Sequence, residues 1–427
     1  MKRRPSDERG STEASDRATS EEVLSAEART HGPNVRPNST LDPSKVGTPA
    51  FVIEEELLRH NLSILKRVAD TTGATVLHAL KAWATWPLFP IVKEYLNGTE
   101  VSSLSEARLG REEFGAEVHM YAPAYKPEEF DEVMNNCSHI IFNSFGQWEQ
   151  FKNKIKGSKK KVSVGLRINP EVETGEKHSV WNPCAPDSRL GIRIDEFERE
   201  LKQDPSALEG IQGLHFHIFF ERELGDLKAA LVKIEKNFGA YLKQMKWVNF
   251  GGGQRITDDG YDVEELIRLI NDFQEKYGVE VHLEPGAALV WHAGTLVASV
   301  LDIIERADVP YKVAILDISF EAHLTDFILS PDLELRIRGA GKKGEHPNAY
   351  SFGGSTCLAG DKIDRVYTFD KPLKVGDKVV FEDAVQYTLV KTTMFNGVQH
   401  PSIVLWKNGK PTVLREFTYE DFKSRMG

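Results

Sequence analysis

The chain has 427 residues, of which 40% are hydrophobic and 28% charged, with a formal net charge of -10. That is an ordinary globular composition without the basic excess that nucleic acid or an anionic lipid surface would call for. No run approaches the roughly 18 continuous apolar residues of a membrane span, and the N-terminus lacks a signal-peptide core, so a cytoplasmic protein with no membrane partner is expected.

Residues 1 to 46 are rich in Ser, Thr, Glu, Arg and Pro and read as a disordered arm without a catalytic role. The acids Asp7, Glu8, Glu13, Asp16, Glu21 and Glu22 argue against a mitochondrial presequence. From residue 75 short β-branched runs alternate with amphipathic segments, as in consecutive βα units. Eight strands are predicted, over 75–80, 100–104, 117–122, 139–143, 161–168, 210–217, 247–250 and 280–285. Among the intervening segments, 262–273 puts Val263, Leu266, Leu269, Ile270 and Phe273 on one helical face. Eight strands in about 210 residues suggest a (β/α)8 TIM barrel over 47–298, with an open doubly wound sheet as the other possibility. After residue 299 alternating runs separated by Val375-Gly376-Asp377 and Asn408-Gly409 predict a C-terminal antiparallel β domain over 299–427. The early strand 48–53 is expected to join it.

Chemistry in such a barrel gathers at the C-terminal ends of the strands. Strand one ends in Lys81, near Trp83 and Trp86; desolvation there would favour the free amine and a Schiff base, although a lysine snorkelling at the rim is the plainer alternative. Strand six ends in His215-Phe216-His217, whose alternation sends both imidazoles to one side. No HxxxH or carboxylate pair completes a metal site there, and no metal is expected. Gly251-Gly252-Gly253 offers free amides to a phosphate after strand seven, and Glu284-Pro285-Gly286 places a carboxylate and a second turn after strand eight. A lysine, a phosphate cradle and a carboxylate in this order describe a pyridoxal 5'-phosphate site. Three cysteines, Cys137, Cys184 and Cys357, an odd number in a long chain, argue against a disulfide framework or a Cys-rich metal site, so a functional one acts alone.

The segments HALKAWATW, SSLSEARLG, RINPEV, NPCAPDSRLGI, GLHFH, NFGGGQRIT, LEPGA, GGSTCLAGD, LKVGDKVVFEDAVQYTLVKTTMFNG and PSIVLW resemble the fold type III pyridoxal phosphate decarboxylases. NPCAPDSRLG and STCLAGD resemble most the branch that acts on carboxynorspermidine. The resemblance covers roughly residues 47 to 425. It implies a barrel of the alanine racemase type, a homodimer with shared active sites, and decarboxylation of a carboxylated polyamine. By the same resemblance Lys81 holds the cofactor and His217 stacks on its ring. Glu284 faces the pyridine nitrogen; Gly251, Gly252, Gly253, Gly286 and Tyr387 hold the phosphate; and Arg167 pairs with Glu106 behind Lys81. Cys357 resembles the cysteine that reaches the partner subunit's site and returns a proton to the α-carbon. Asp361, assisted by Asp326, resembles the acid that meets the substrate's distal ammonium, and Arg189 of NPCAPDSRLG falls on the substrate side.

The chain departs from the pattern at Ile218-Phe219-Phe220-Glu221, at Ala287 where an acid is usual, and at Phe320 and Glu321 where small residues are usual. Glu321 is a candidate replacement for the acid missing at Ala287. These departures bear on the identity of the substrate more than on the reaction. Two rival readings therefore stand beside the first: the same chemistry on a different amino acid, and a non-catalytic cofactor-binding homologue.

Overall fold

The computed structural model describes residues 36–172, 182–218, 223–329 and 333–427. The strand β1 (Ala50–Glu54) is followed by a helix, Glu55–Thr72, whose Leu57, Leu58, Leu62, Leu65 and Val68 form a buried face. It ends at Gly73, where φ is 71°, a left-handed value that glycine adopts without strain.

Eight parallel strands then close into a barrel: β2 (Thr75–Ala79), β3 (Gly98–Val101), β4 (Glu117–Tyr121), β5 (His139–Phe142), β6 (Ser163–Arg167), β7 (Gly213–His215), β8 (Trp247–Asn249) and β9 (Glu280–Leu283). Each pairs with the next in chain order, and β9 returns to β2 through Thr75↔His282 and Val76↔Leu283. All eight expected strands are present, and the closed barrel replaces the doubly wound alternative. The helix expected over 262–273 runs Val263–Tyr277; Asp262 accepts a hydrogen bond from the Glu265 amide at its start and Gly278 ends it. Inside the barrel the Trp247 ring fills the space over Gly213, where an added Cβ would lie 2.1 Å from the indole.

The second unit of architecture is an eight-stranded sheet in the order β13-β12-β11-β10-β1-β15-β16, with β14 also pairing β10. Its strands are β1, β10 (Gly294–Ile304), β11 (Lys312–Leu316), β12 (Asn348–Gly353), β13 (Lys362–Phe369), β14 (Lys378–Glu382), β15 (Ser402–Lys407) and β16 (Lys410–Arg415). β1 lies between β10 and β15 with every residue buried, so the early strand does return to this sheet. The sheet is mostly antiparallel, yet β1–β15 and β11–β12 are parallel pairs. Two expected boundaries move. β10 runs through residue 298, so the barrel hands over to the sheet at Gly294. The arm ends before residue 46: Leu41 and Val46 are buried, Thr40 donates its amide to Glu54 at 2.9 Å, and the Trp406 indole donates to the Thr40 hydroxyl at 3.0 Å. Residues 1–35 of the expected arm lie outside the described residues. Among the described residues no helix is long and apolar enough to cross a membrane.

Candidate active site

The C-terminal rim of the barrel is stitched around the end of β2. The Leu80 amide donates to the Glu100 carbonyl of β3, Ala79 donates to the Pro285 carbonyl beyond β9, and Tyr387 from the sheet side donates to the Ala82 carbonyl. Three neighbouring segments thus hold Lys81 in place. Its ammonium forms an ion pair with Glu100, a carboxylate only 1% exposed. Burial alone would drive the proton off Lys81, but Glu100, Glu284 and Tyr387 outweigh it and hold the pKa above the ordinary lysine value. The expectation of an easily deprotonated lysine is therefore corrected: desolvation is present, and two carboxylates override it. Glu100 is itself pushed up to about 7, chiefly by burial and against the pull of Lys81.

Glu284 follows β9 and is 2% exposed. It accepts from Asn249 Nδ2 at 2.6 Å and contacts His215 Nε2 at 3.3 Å. Burial would raise its pKa, but the attraction and hydrogen bond of His215, with Lys81 nearby, hold it well below the usual carboxylate range. The Gly252 amide donates to His217 Nδ1 at 3.0 Å, which fixes that ring. Burial, with Lys81 and Arg167 adding repulsion, keeps His217 neutral by holding its pKa well below the usual value. The glycines are required by close approach: a Cβ on Gly252 would sit 2.0 Å from the Glu284 carbonyl, and one on Gly286 2.5 Å from the Ala82 Cβ. Beside them a small opening is lined by Gly253, Gln254, Arg255, Gly286, Ala287, Ala288, Trp291 and Tyr387.

Several expected site residues are placed differently. Glu106 accepts from the Ser102 amide while Ser103 accepts from the Glu106 amide, so it serves its own helix start and does not pair with Arg167. Arg167 instead donates to the His217 carbonyl at 3.0 Å and lies 4.5 Å over the Tyr121 ring. Asp361 is 4% exposed, and its two oxygens accept from the amides of Phe320, Glu321 and Thr356 and from the Thr356 hydroxyl. Four donors from its own chain occupy it, which leaves a loop-tethering role in place of the expected contact with substrate. Phe320 is fully buried, 6.0 Å from the Phe381 ring, and belongs to the core of the sheet domain, not to a substrate channel. Asp326 pairs with Lys391 at 2.7 Å. Cys357 is exposed, and its sulfur accepts from Asn396 Nδ2 at 3.1 Å. Glu321 keeps one carboxylate oxygen, Oε2, buried without a hydrogen-bond partner. Arg189 is exposed, and its backbone carbonyl accepts from Asn143 Nδ2 at 2.8 Å. Phe219, Phe220 and Glu221 lie outside the described residues.

Sequence reasoning missed Glu100, Asn249 and Arg255. Arg255 sits within NFGGGQRIT and brings a guanidinium to the wall of the opening, 5.0 Å from the Trp291 ring. The donors fit pyridoxal phosphate: a lysine at the strand end, Gly253, Gly286, Arg255 and Tyr387 around the opening for a phosphate, and an ionised, fully desolvated Glu284 for a protonated ring nitrogen.

The model of the pyridoxal-dependent decarboxylase, C-terminal sheet domain, family matches residues 40–385. A carboxynorspermidine/carboxyspermidine decarboxylase of Campylobacter jejuni is 44% identical over 392 residues, 89% of this chain and 99% of that protein. A carboxyaminopropylagmatine decarboxylase of Synechocystis is 42% identical over 396 residues, 92% of this chain and 98% of that one. The crystal structure of carboxynorspermidine decarboxylase from Campylobacter jejuni, complexed with norspermidine, superposes with a TM-score of 0.81 at 42% identity, covering 89% of this chain and 100% of that chain. With a barrel, a sheet and a lysine-centred rim of this kind, the chain belongs to the pyridoxal-dependent decarboxylases.

Proposed function

We propose that this enzyme removes the α-carboxylate of a carboxylated polyamine, carboxynorspermidine or carboxyspermidine, as a cytoplasmic homodimer. The observation that carries the reading is full-length similarity to a decarboxylase of those compounds, joined to a rim in which Lys81, Glu100, Glu284 and His217 meet. Pyridoxal phosphate, when bound, supplies an aldehyde for a lysine amine and a ring that takes up the electron pair released as carbon dioxide leaves.

This chain's residues do the rest. Glu100 holds the Lys81 ammonium in place until the lysine nitrogen is engaged, and as a carboxyl poised near 7 it can take up or release a proton beside that nitrogen at neutral pH. Glu284, kept ionised, would hold a proton at the cofactor's ring nitrogen, and Asn249 and His215 keep its carboxylate oriented. His217, neutral and locked by Gly252, presents a ring face without adding charge. Gly253, Gly286, Arg255 and Tyr387 would hold the phosphate, while the amides expected to be free at Gly251 and Gly252 are instead donated to Asn249 Oδ1 and His217 Nδ1 and shape the cradle. Cys357 stands on an exposed loop away from the Lys81 cluster's hydrogen bonds, which suits a thiol that delivers its proton to the α-carbon in a second copy of the chain. Glu321 offers an unpaired buried carboxylate oxygen to a cationic tail, and Asp326, balanced by Lys391, is the acid five residues further along the chain.

A second reading keeps the chemistry and lengthens the tail to a guanidinium, because the Synechocystis relative is named for carboxyaminopropylagmatine. The deciding experiment measures carbon dioxide release from carboxynorspermidine, carboxyspermidine and carboxyaminopropylagmatine under identical conditions. Highest kcat/KM on either of the first two supports the proposal. Preference for the third selects the second reading, and no turnover of any of them refutes both.

A further inference from the structure

The N-terminal floor of the barrel, at the other end of the strands from Lys81, carries a second cluster of ionisable side chains that decarboxylation does not use. Glu117 and His119 are two residues apart on β4 and so face the same side. His139 opens β5 directly across from His119. One ligating atom from each of Glu117, His119 and His139 lies within 4.8 Å of the others. His282 of β9 adjoins them, its ring 5.2 Å from His119 and 5.6 Å from His139. Two imidazoles and a carboxylate are a donor set for divalent ions of the zinc class, whose bonds to such ligands are about 2.0–2.2 Å.

A separate observation points to a ligand. Nδ1 of His119 and Nδ1 of His282 have no hydrogen-bond partner, although the two residues are 1% and 2% exposed. Both atoms border the three-ligand cluster, in which His119 Nε2 meets the Glu117 carboxylate at 2.8 Å and His139 Nδ1 meets the Ser138 hydroxyl at 3.1 Å; an ion bound by Glu117 and His119 replaces the first of these contacts.

We propose that Glu117, His119 and His139 bind one divalent transition ion, with water completing its coordination, and that the ion clamps β4 to β5 at the barrel floor. Binding changes the local geometry in a readable way. The His119 and His139 rings are stacked with centroids 3.7 Å apart and planes 28° apart, so their in-plane lone pairs run nearly side by side. An ion bonded to both nitrogens needs them to converge, which turns His139, the less buried ring, and alters its edge contact with Trp247 at 5.7 Å.

The test dialyses the full-length holoenzyme against Zn2+ and counts bound metal by elemental analysis, with quenching of tryptophan emission by Cu2+ as the second readout. One ion per chain is expected, together with quenching, and both should weaken by at least about tenfold in His139→Gln and in Glu117→Gln. Decarboxylation should stay at the wild-type level in both. Glu117 is 50% exposed at a strand end, so Glu117→Gln carries the test if His139→Gln fails to fold. A wild type that binds no Zn2+ up to sub-millimolar concentration, or folded variants that bind it as tightly as the wild type, overturns the proposal.

Discussion

Replacing Glu100 by Gln keeps the shape of the side chain and removes the charge in contact with the Lys81 ammonium. In the wild type burial opposes the charged form of Lys81, and Glu100 is the strongest of the groups that favour it, ahead of Glu284 and Tyr387. Two unit charges in contact at an effective dielectric of about 20 attract by roughly 4 kcal/mol. At 1.36 kcal/mol per pH unit that is about 3 units. Removing Glu100 therefore leaves desolvation opposed only by Glu284 and Tyr387, and Lys81 should give up its proton about 2 to 3 units lower than in the wild type. Competitive reductive methylation of the apo chain, with the Lys81 peptide quantified by mass spectrometry across a pH series, reads the midpoint without cofactor or turnover. Readings are best taken above neutrality, because the Glu100 carboxyl of the wild type itself takes up a proton near pH 7. A Glu100→Gln midpoint within half a unit of the wild type would refute the reasoning, since the ion pair would then have no hold on the lysine.

Gly286→Ala puts a Cβ 2.5 Å from the Ala82 Cβ and 3.2 Å from the Ala79 Cβ, so the segment around Lys81 must shift. Overpacking of about 1–3 kcal/mol should weaken pyridoxal phosphate binding by about tenfold or more in equilibrium dialysis. Asp361→Asn removes acceptor capacity for four donors, one of them the buried Phe320 amide. A loss of about 1–3 kcal/mol in urea unfolding and a lower kcat are expected, whereas a residue that binds only the substrate's tail would raise KM and leave stability intact. Burial lowers His78 and His323 to about 3 each. A depressed histidine contributes stability that is complete above its unfolded value near 6.5 and is lost as pH falls toward 3, so these two together should cost about 2.5 kcal/mol between pH 7 and pH 5.5. Urea midpoints at the two values check this; equal stability would contradict it.

The barrel is legible in the sequence because its strands and helices carry different hydrophobic periods, and each βα unit repeats the contrast. The return of β1 is legible too, since 48–53 reads as a strand with no βα unit of its own. The site is harder to read wherever one residue has two plausible partners. Resemblance matches Glu106 with Arg167, yet Ser103-Leu104-Ser105-Glu106 is the Ser-x-x-Glu signature of a helix start, and the structure uses it so. Asp361 shows the same limit. Its neighbourhood in STCLAGD suggests a substrate acid, but a short acid between two turns can be fully engaged by nearby amides, and only the fold brings Phe320 and Glu321 within reach. Phe320 reads as bulk beside a substrate because position along the chain does not say which layer a side chain enters. Glu100 is the instructive omission. In the segment Gly98-Thr99-Glu100-Val101 an acid interrupts a strand buried throughout, and a buried carboxylate requires a cation. The β2–β3 register places Ala79 across from Glu100, two residues before Lys81, so the neighbouring strand end supplies that cation. The same contact that makes Glu100 tolerable in the core is the one that keeps Lys81 charged. Burial by itself would have made the lysine a free amine; the strand next to it decides otherwise.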